Sequence, residues 1–576
     1  LLALNTLTHT IQGHKHRTMR CRTLVLLLCV GAVRCAAEGE WRTVPTAQGP
    51  VRGLRDSSGE FYTFYNIPYA TAPTGRERFK APLPAPVWLQ PLEAVNRGII
   101  CPQASMGYMM PENHKMQEDC LVANVYVPDT EETDLSVLVY VHGGAFQIGY
   151  GDWLKYTHLV KSKKVIIVNF NYRLGIHGFL CLGTKDAPGN AGMKDQVALL
   201  RWVNRNIASF GGNPKDVTIA GYSAGSASVD LLMLSKSAEG LFNKVIPESG
   251  SNLAAFSIQS DPVENAKMHA RSLNFTDVDD IYALEEFYTR ASYELLTLSP
   301  FIDRTDSTFV FSPCVERDSG DGVFLDDSPL NILKKGKYKK VPLLYGFANM
   351  EGLLRIEFFD NWSHKMNEQF SDFLPADLIF ENDAQRERVA QQAKEFYFGD
   401  KPVQEDNVLG YVDFFSDVMF TYSTLWAVKL HAEAGHDQVY LYEYSFVDED
   451  TPVTIAVADG NVFNITQSNE SSLSKEFNKM KGIVREIWLN FITTGKPMAE
   501  SSSWPAAGAG RSPHMSLGRA VELRSVLLEQ RTRLWDDIYR RHYRQPTPPP
   551  VHPTRPRVDF STLLVLVPLT KLVASH

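Results

Sequence analysis

The sequence predicts an α/β protein with a central, mostly parallel sheet flanked by helices. Three observations carry this. Short apolar runs rich in β-branched residues recur along the chain, helix-length stretches fall between them, and no linker, low-complexity run or internal repeat divides residues 41–543. One large domain over residues 38–543 is the simplest organisation.

The elements follow in chain order. Ser136–Val141 reads Ser-Val-Leu-Val-Tyr-Val and Val165–Asn169 reads Val-Ile-Ile-Val-Asn, the near-continuous apolar pattern of buried parallel strands. Met193–Phe210 is the helix candidate behind them. Val217–Ala220, Val-Thr-Ile-Ala, stops at a glycine, and Ala224–Leu234 resumes as a helix. Val341–Tyr345 and Val439–Tyr444 are the later strands, and Glu476–Ile492 is the helix that follows.

A hydrophobic share of 44% with 22% charged residues is globular composition and allows a sizeable core. The net charge of -8 is mild and dispersed, so neither nucleic acid nor an anionic membrane surface is an expected partner. Met19 is the expected start, with residues 1–18 reading as upstream sequence. Arg20 and Arg22, the apolar Leu24–Val33 and the small residues Cys35-Ala36-Ala37 predict a signal peptide within residues 1–37 and an extracellular protein. The apolar run is too short to span a bilayer, so no stable membrane insertion is expected. Residues 544–576, rich in proline and ending in the apolar stretch Leu563–Leu569, read as an extended, disordered tail.

With Cys21, Cys29 and Cys35 in the leader, four cysteines remain for an oxidising compartment. Cys101 and Cys120 are the expected disulfide, closing a loop whose unfolded-state entropy amounts to about 3 kcal/mol. Cys181 and Cys314 lie in apolar contexts and read as buried free thiols. Sequons at Asn274, Asn361, Asn464 and Asn469 are glycosylation candidates. No trio of His, Asp, Glu or Cys has the spacing of a zinc or calcium site, so no metal or cofactor is expected.

The chemistry-bearing motif is Gly221-Tyr222-Ser223-Ala224-Gly225, directly after a strand and opening a helix. A serine hydroxyl attacks an acyl carbon only when it stands exposed on a strained turn beside oxyanion donors, and flanking glycines permit that turn. Upstream, Ser136–Val141 runs into His142-Gly143-Gly144-Ala145-Phe146, whose backbone amides would converge with that of Ala224 on an oxyanion. Ser223 is therefore the candidate nucleophile, and Gly143, Gly144 and Ala224 the candidate oxyanion hole.

With these pieces in order, the chain resembles the type-B carboxylesterases of the α/β-hydrolase superfamily, being similar to insect secreted esterases and more distantly to cholinesterases. Glu118–Tyr126, Asn171-Tyr172-Arg173-Leu174-Gly175, Pro188-Gly189-Asn190, Lys194-Asp195-Gln196 and Phe210-Gly211-Gly212-Asn213-Pro214 also carry the resemblance. It covers nearly all of residues 38–543. It implies a serine hydrolase acting on small-molecule carboxylic esters without a cofactor. It also implies an acid at Glu351, in Gly346-Phe347-Ala348-Asn349-Met350-Glu351-Gly352 after a late strand, where a carboxylate would orient an imidazole.

That imidazole is missing. The resemblance places the histidine in a glycine-containing loop between Val439–Tyr444 and the apolar Val462-Phe463, yet residues 445–460 contain none, and the connector is shorter than in the relatives. Deletion of a histidine-bearing loop accounts for both. His431 and His436 precede the strand, His514 follows far behind, and His142 and His177 lie upstream of the serine, out of the expected order. Loss of a triad base lowers turnover on the order of 10⁶-fold, so an inactive, esterase-like adhesion or binding protein is the alternative reading. The family comparison also disfavours a choline ester, because no tryptophan lies between Cys101 and Cys120. It disfavours juvenile hormone, whose esterases carry glutamine where Tyr222 stands. A general, odorant- or xenobiotic-type carboxylesterase is the expectation.

Overall fold

The computed structural model describes residues 40–105, 110, 113–153, 156–298, 304–318, 320, 322–447, 474–498 and 504–551. Through them runs one sheet of 13 strands. Its path is built from β1 (Trp41–Thr46), β2 (Gly49–Arg55), β3 (Phe61–Pro68), β4 (Val122–Pro128), β5 (Leu135–Val141), β6 (Val165–Phe170), β7 (Gly212–Tyr222), β8 (Lys244–Glu248), β9 (Leu343–Ala348), β10 (Val439–Tyr444), β11 (His514–Leu517) and β12 (Val521–Arg524). The spatial order is β1-β2-β3-β4-β6-β5-β7-β8-β9-β10-β11-β12, with the short Leu92–Glu93 strand beside β2. From β6 to β11 every neighbouring pair is parallel, and the flanks are antiparallel.

Both faces of the parallel block are covered, which is why its strands carry no polar alternation. Val137, Val139 and Val141 of β5 face one core with α1 (Ala191–Asn206), α2 (Ala224–Leu234) and α3 (Tyr422–Glu433). Leu138 and Tyr140 face the opposite core, closed by Phe477, Val484, Trp488 and Phe491 of α4 (Lys475–Thr494). Sequence and structure agree on these strands within a few residues. The ninth begins at Leu343 instead of Val341, since Pro342 has no N–H for a ladder, and it runs on to Ala348.

Two expectations are corrected. Cys181 and Cys314 are not free thiols: they form a second disulfide, as Cys101 and Cys120 form the first. Their sequence separation of 133 hides the proximity from sequence. Gly189 makes it possible, because a β-carbon there would stand 2.6 Å from Cys314 Sγ and 2.9 Å from Cys181 Sγ. Converting both cysteines to serine is expected to lower stability by about 5 kcal/mol, read as a fall in the urea midpoint of unfolding.

The proline-rich stretch beyond α5 (Glu529–His542) is extended but anchored as far as Pro549. The Arg544 amide donates to Asp377 O at 2.7 Å and its guanidinium pairs with both Asp261 oxygens. Ser328 Oγ donates to Gln545 at 2.8 Å, Arg317 Nε donates to Pro549 O at 3.1 Å, and Pro546 and Pro549 are buried. Prolines have no N–H to satisfy, so such a ribbon can lie on the domain with only its carbonyls needing partners. Residues 552–576, with the apolar Leu563–Leu569, and the leader in residues 1–37 lie outside the described residues. Among the described residues no helix is long and apolar enough to cross a membrane.

Candidate active site

Ser223 stands where β7 ends and α2 begins, at φ 57° and ψ −121°, a conformation that side-chain-bearing residues adopt only under constraint from their surroundings. The constraint is visible. The Ser223 amide donates to Glu248 O of the adjoining strand at 3.0 Å, and its carbonyl accepts the first helical bond from the Ala227 amide at 3.0 Å. Gly225 lets the helix start pass over the end of β5, since a β-carbon there would meet Val141 O at 2.1 Å. The free amides of the first turn of α2, beginning with Ala224, thus surround the serine with positive dipole ends.

The His142–Gly149 loop approaches from β5. Gly143 packs on the elbow so closely that a β-carbon would lie 3.3 Å from Ser223 Cβ and 2.6 Å from Tyr222 O. Gly144, Ala145 and Phe146 all take positive φ, 103°, 57° and 61°, turning the backbone sharply away from the strand. The loop is tied down on three sides. Gln103 and Gly149 exchange side-chain and backbone bonds at 2.9 Å, the Gly175 amide donates to Phe146 O at 2.7 Å, and Gln147 Nε2 donates to Phe311 O. Donors that are fixed before the reaction need no reorganisation when an oxyanion forms.

Glu351 follows β9 by three residues and opens a 3₁₀ turn, 3% exposed, with one carboxylate oxygen accepting the Ala348 amide at 2.8 Å. It stands two strands from Ser223, and Glu248 at the end of β8 lies between them. Glu248 is wholly buried and accepts from the Tyr442 hydroxyl of β10 at 2.6 Å. Burial first, then the Glu248 carboxylate, with Glu351 contributing, holds the Tyr442 phenol well above its ordinary value. Sequence reasoning passed over Glu248 and Tyr442. The available signal was a carboxylate closing the apolar strand Lys-Val-Ile-Pro-Glu, where burial demands a partner.

The five histidines weighed in the sequence lie elsewhere in the structure. His142 stacks on Tyr172 beside β6, on the side of β5 away from β7, and its Nδ1 is 2.8 Å from Gly143 O; burial brings it down to about 4. His177 is buried near Arg78, Arg173 and His269 and is held down to about 3, chiefly by desolvation. His431 meets Tyr338 and Tyr345, His436 meets Val341 O, and His514 is buried within β11. None of these bonds involves Ser223 or Glu351. Residues 448–473, where the histidine loop was expected, lie outside the described residues, as do Asn464 and Asn469. Asn274 and Asn361 are exposed. Among the described residues no group of three or more His, Cys, Asp or Glu side chains is placed to hold a metal ion.

A serine on a strained strand-to-helix turn, at the carboxyl edge of a parallel sheet covered on both faces, defines an α/β-hydrolase. The profile of the carboxylesterase family matches residues 40–535, and the chain belongs to that family of carboxylic ester hydrolases. It is 32% identical over 508 residues to a carboxylic ester hydrolase of Bombus ignitus, covering 84% of this chain and 91% of that one. It is also 32% identical to a juvenile hormone esterase of Heliothis virescens, covering 80% and 87% respectively. The crystal structure of juvenile hormone esterase from Manduca sexta, with OTFP covalently attached, superposes with a TM-score of 0.77 at 29% identity, covering 87% of this chain and all of that one.

Proposed function

We propose that this chain cleaves carboxylic esters through an acyl-enzyme on Ser223, and does so slowly for want of an imidazole base. The observation that carries the reading is the elbow itself, a strained serine under the Ala224 amide with Gly143 against it. Ser223 Oγ attacks the ester carbonyl. The amides of Gly143, Gly144 and Ala224 receive the oxyanion, the alcohol departs, and water releases the acid. Each such donor contributes about 3 to 4 kcal/mol at the transition state, and an oxyanion hole with substrate binding alone sustains about 10³- to 10⁴-fold acceleration over water. With no histidine between His436 and His514, the serine proton passes to solvent water, and water protonates the departing alkoxide.

Substrates are small esters of the general, odorant or xenobiotic kind, and Tyr222 ahead of the nucleophile argues against juvenile hormone. Two disulfides suit an oxidising compartment, and with the leader they support secretion, with glycans at the exposed Asn274 and Asn361. The missing histidine favours a second reading, a binding protein that keeps the fold. Hydrolysis of p-nitrophenyl acetate separates the two: protein-dependent release that disappears in Ser223→Ala supports the esterase, and equal rates in both chains support the binding protein. Sequencing the transcript across Phe446–Gly460 tests whether a histidine-bearing loop is encoded.

A further inference from the structure

Behind the nucleophile turn a line of polar side chains crosses an otherwise apolar core. Asp230 lies on α2, two turns beyond Ser223, and is wholly buried. Its Oδ1 accepts from the Tyr345 hydroxyl of β9 at 2.7 Å and its Oδ2 from the Asn252 amide at 2.7 Å. The Tyr345 oxygen is 3.2 Å from His431 Nε2 on α3, and His431 Nδ1 is 2.6 Å from the Tyr338 hydroxyl. Burial, then His436 and Lys340, keep His431 well below its ordinary value, hence neutral. Proton counting then gives the direction. While Asp230 is ionised, Tyr345 commits its only hydrogen to it, so it accepts from His431 Nε2–H, which leaves Nδ1 to accept from Tyr338. In that state every donor points inward toward the carboxyl, and protonation of Asp230 reverses the chain. The outer end, Tyr338, is half-buried at a surface cavity of about 300 Å³ that it shares with Lys337 and Lys339.

The inner end reaches the nucleophile. Asn252 closes the segment Ser249–Asn252, whose Gly250 leaves no room over the elbow: a β-carbon there would stand 2.7 Å from the Ser223 carbonyl oxygen. Ser226 Oγ on α2 donates to Gly250 O at 2.7 Å. The Asp230 carboxyl therefore pins, through Asn252, the segment that clamps Ser223. We propose that Asp230 is a positioning residue of the nucleophile turn, and that its proton exchanges with solvent along the Tyr338–His431–Tyr345 relay, so that the turn loosens as pH rises.

Burial pushes the Asp230 carboxyl up from 3.8 to about 7, against the opposing donors Asn252 and Tyr345. The groups facing it are Tyr345 and the neutral His431, with Tyr338, His436 and Lys340 behind them, so no cation touches it. Its neutral form favours the closed turn. Opening returns it to water and to its ordinary value, so closure weakens as pH rises from about 4 to about 7 and is level above.

Ser223 is taken as the nucleophile proposed above, but the test reads the turn and not its chemistry. Hydrogen exchange on the full chain, followed at residues 221–228 and corrected for intrinsic rate, is expected to show protection falling at least ~10-fold from pH 5 to pH 7.5. In Asp230→Asn it is expected to stay level. Tyr345→Phe keeps the carboxyl but removes a donor to its charged form, and is expected to move the midpoint to higher pH. A flat profile in the natural chain, or the same profile in both variants, overturns the proposal. If Asp230→Asn does not fold, the Tyr345→Phe shift decides: upward supports, absent or downward overturns. A chain whose Ser223 proves chemically inert while these profiles hold refutes the esterase reading and leaves the relay standing.

Discussion

Asp459→His is expected to raise ester turnover at least ~10³-fold over the natural chain. The family resemblance puts the base in a glycine-containing loop between β10 and Val462-Phe463. Gly460 is the single glycine between Tyr444 and Val462, and Asp459 precedes it. A carboxylate is a poor replacement for an imidazole. Its ordinary pKa, about 3.9 against about 6.5, makes it on the order of 10²- to 10³-fold less basic toward a serine proton. The check is kcat/KM on a p-nitrophenyl ester, with Ser223→Ala in the same background abolishing protein-dependent release. No gain would mean that the connector has lost the geometry along with the side chain.

Glu351→Gln is expected to cost about 10⁴-fold in the Asp459→His chain and less than about 10-fold in the natural one. The substitution keeps a side-chain oxygen for the Ala348 amide, which Glu351 now accepts at 2.8 Å, so the local fold is retained. What it removes is the charge that would hold an imidazole in the correct tautomer and stabilise it once protonated. With no imidazole there is nothing for that charge to orient, so the loss depends on the base being present. A double-mutant cycle measures this coupling directly. Equal losses in both backgrounds would give Glu351 a merely structural role.

Much of this was legible in the chain. Ser136–Val141 and Val165–Asn169 announce buried parallel strands because both faces of each strand are covered, and the elbow announces itself because only glycines fit where Gly225 passes Val141. Both are local signals, written within a few residues of one another. What escaped is long-range. Cys181 and Cys314 look like buried thiols until the turn at Gly189 brings them together across 133 residues. Asp230 sits in a fully buried helix as an apparent violation of its pattern, and its partners, the Asn252 amide and Tyr345 of β9 with His431 of α3 behind it, come from later segments of the chain. Residues 544–549 read as part of a free tail because their docking surface, at Asp261, Arg317 and Ser328, is assembled from remote segments.

The central claim is that Ser223 remains a reactive nucleophile beneath a formed oxyanion hole, limited by the absence of a base. Treating the natural chain with a fluorophosphonate for hours and mapping the adduct by peptide mass spectrometry tests it most directly. A single slow adduct on Ser223, absent from Ser223→Ala, is the expected result; no adduct, or one on another residue, would contradict it.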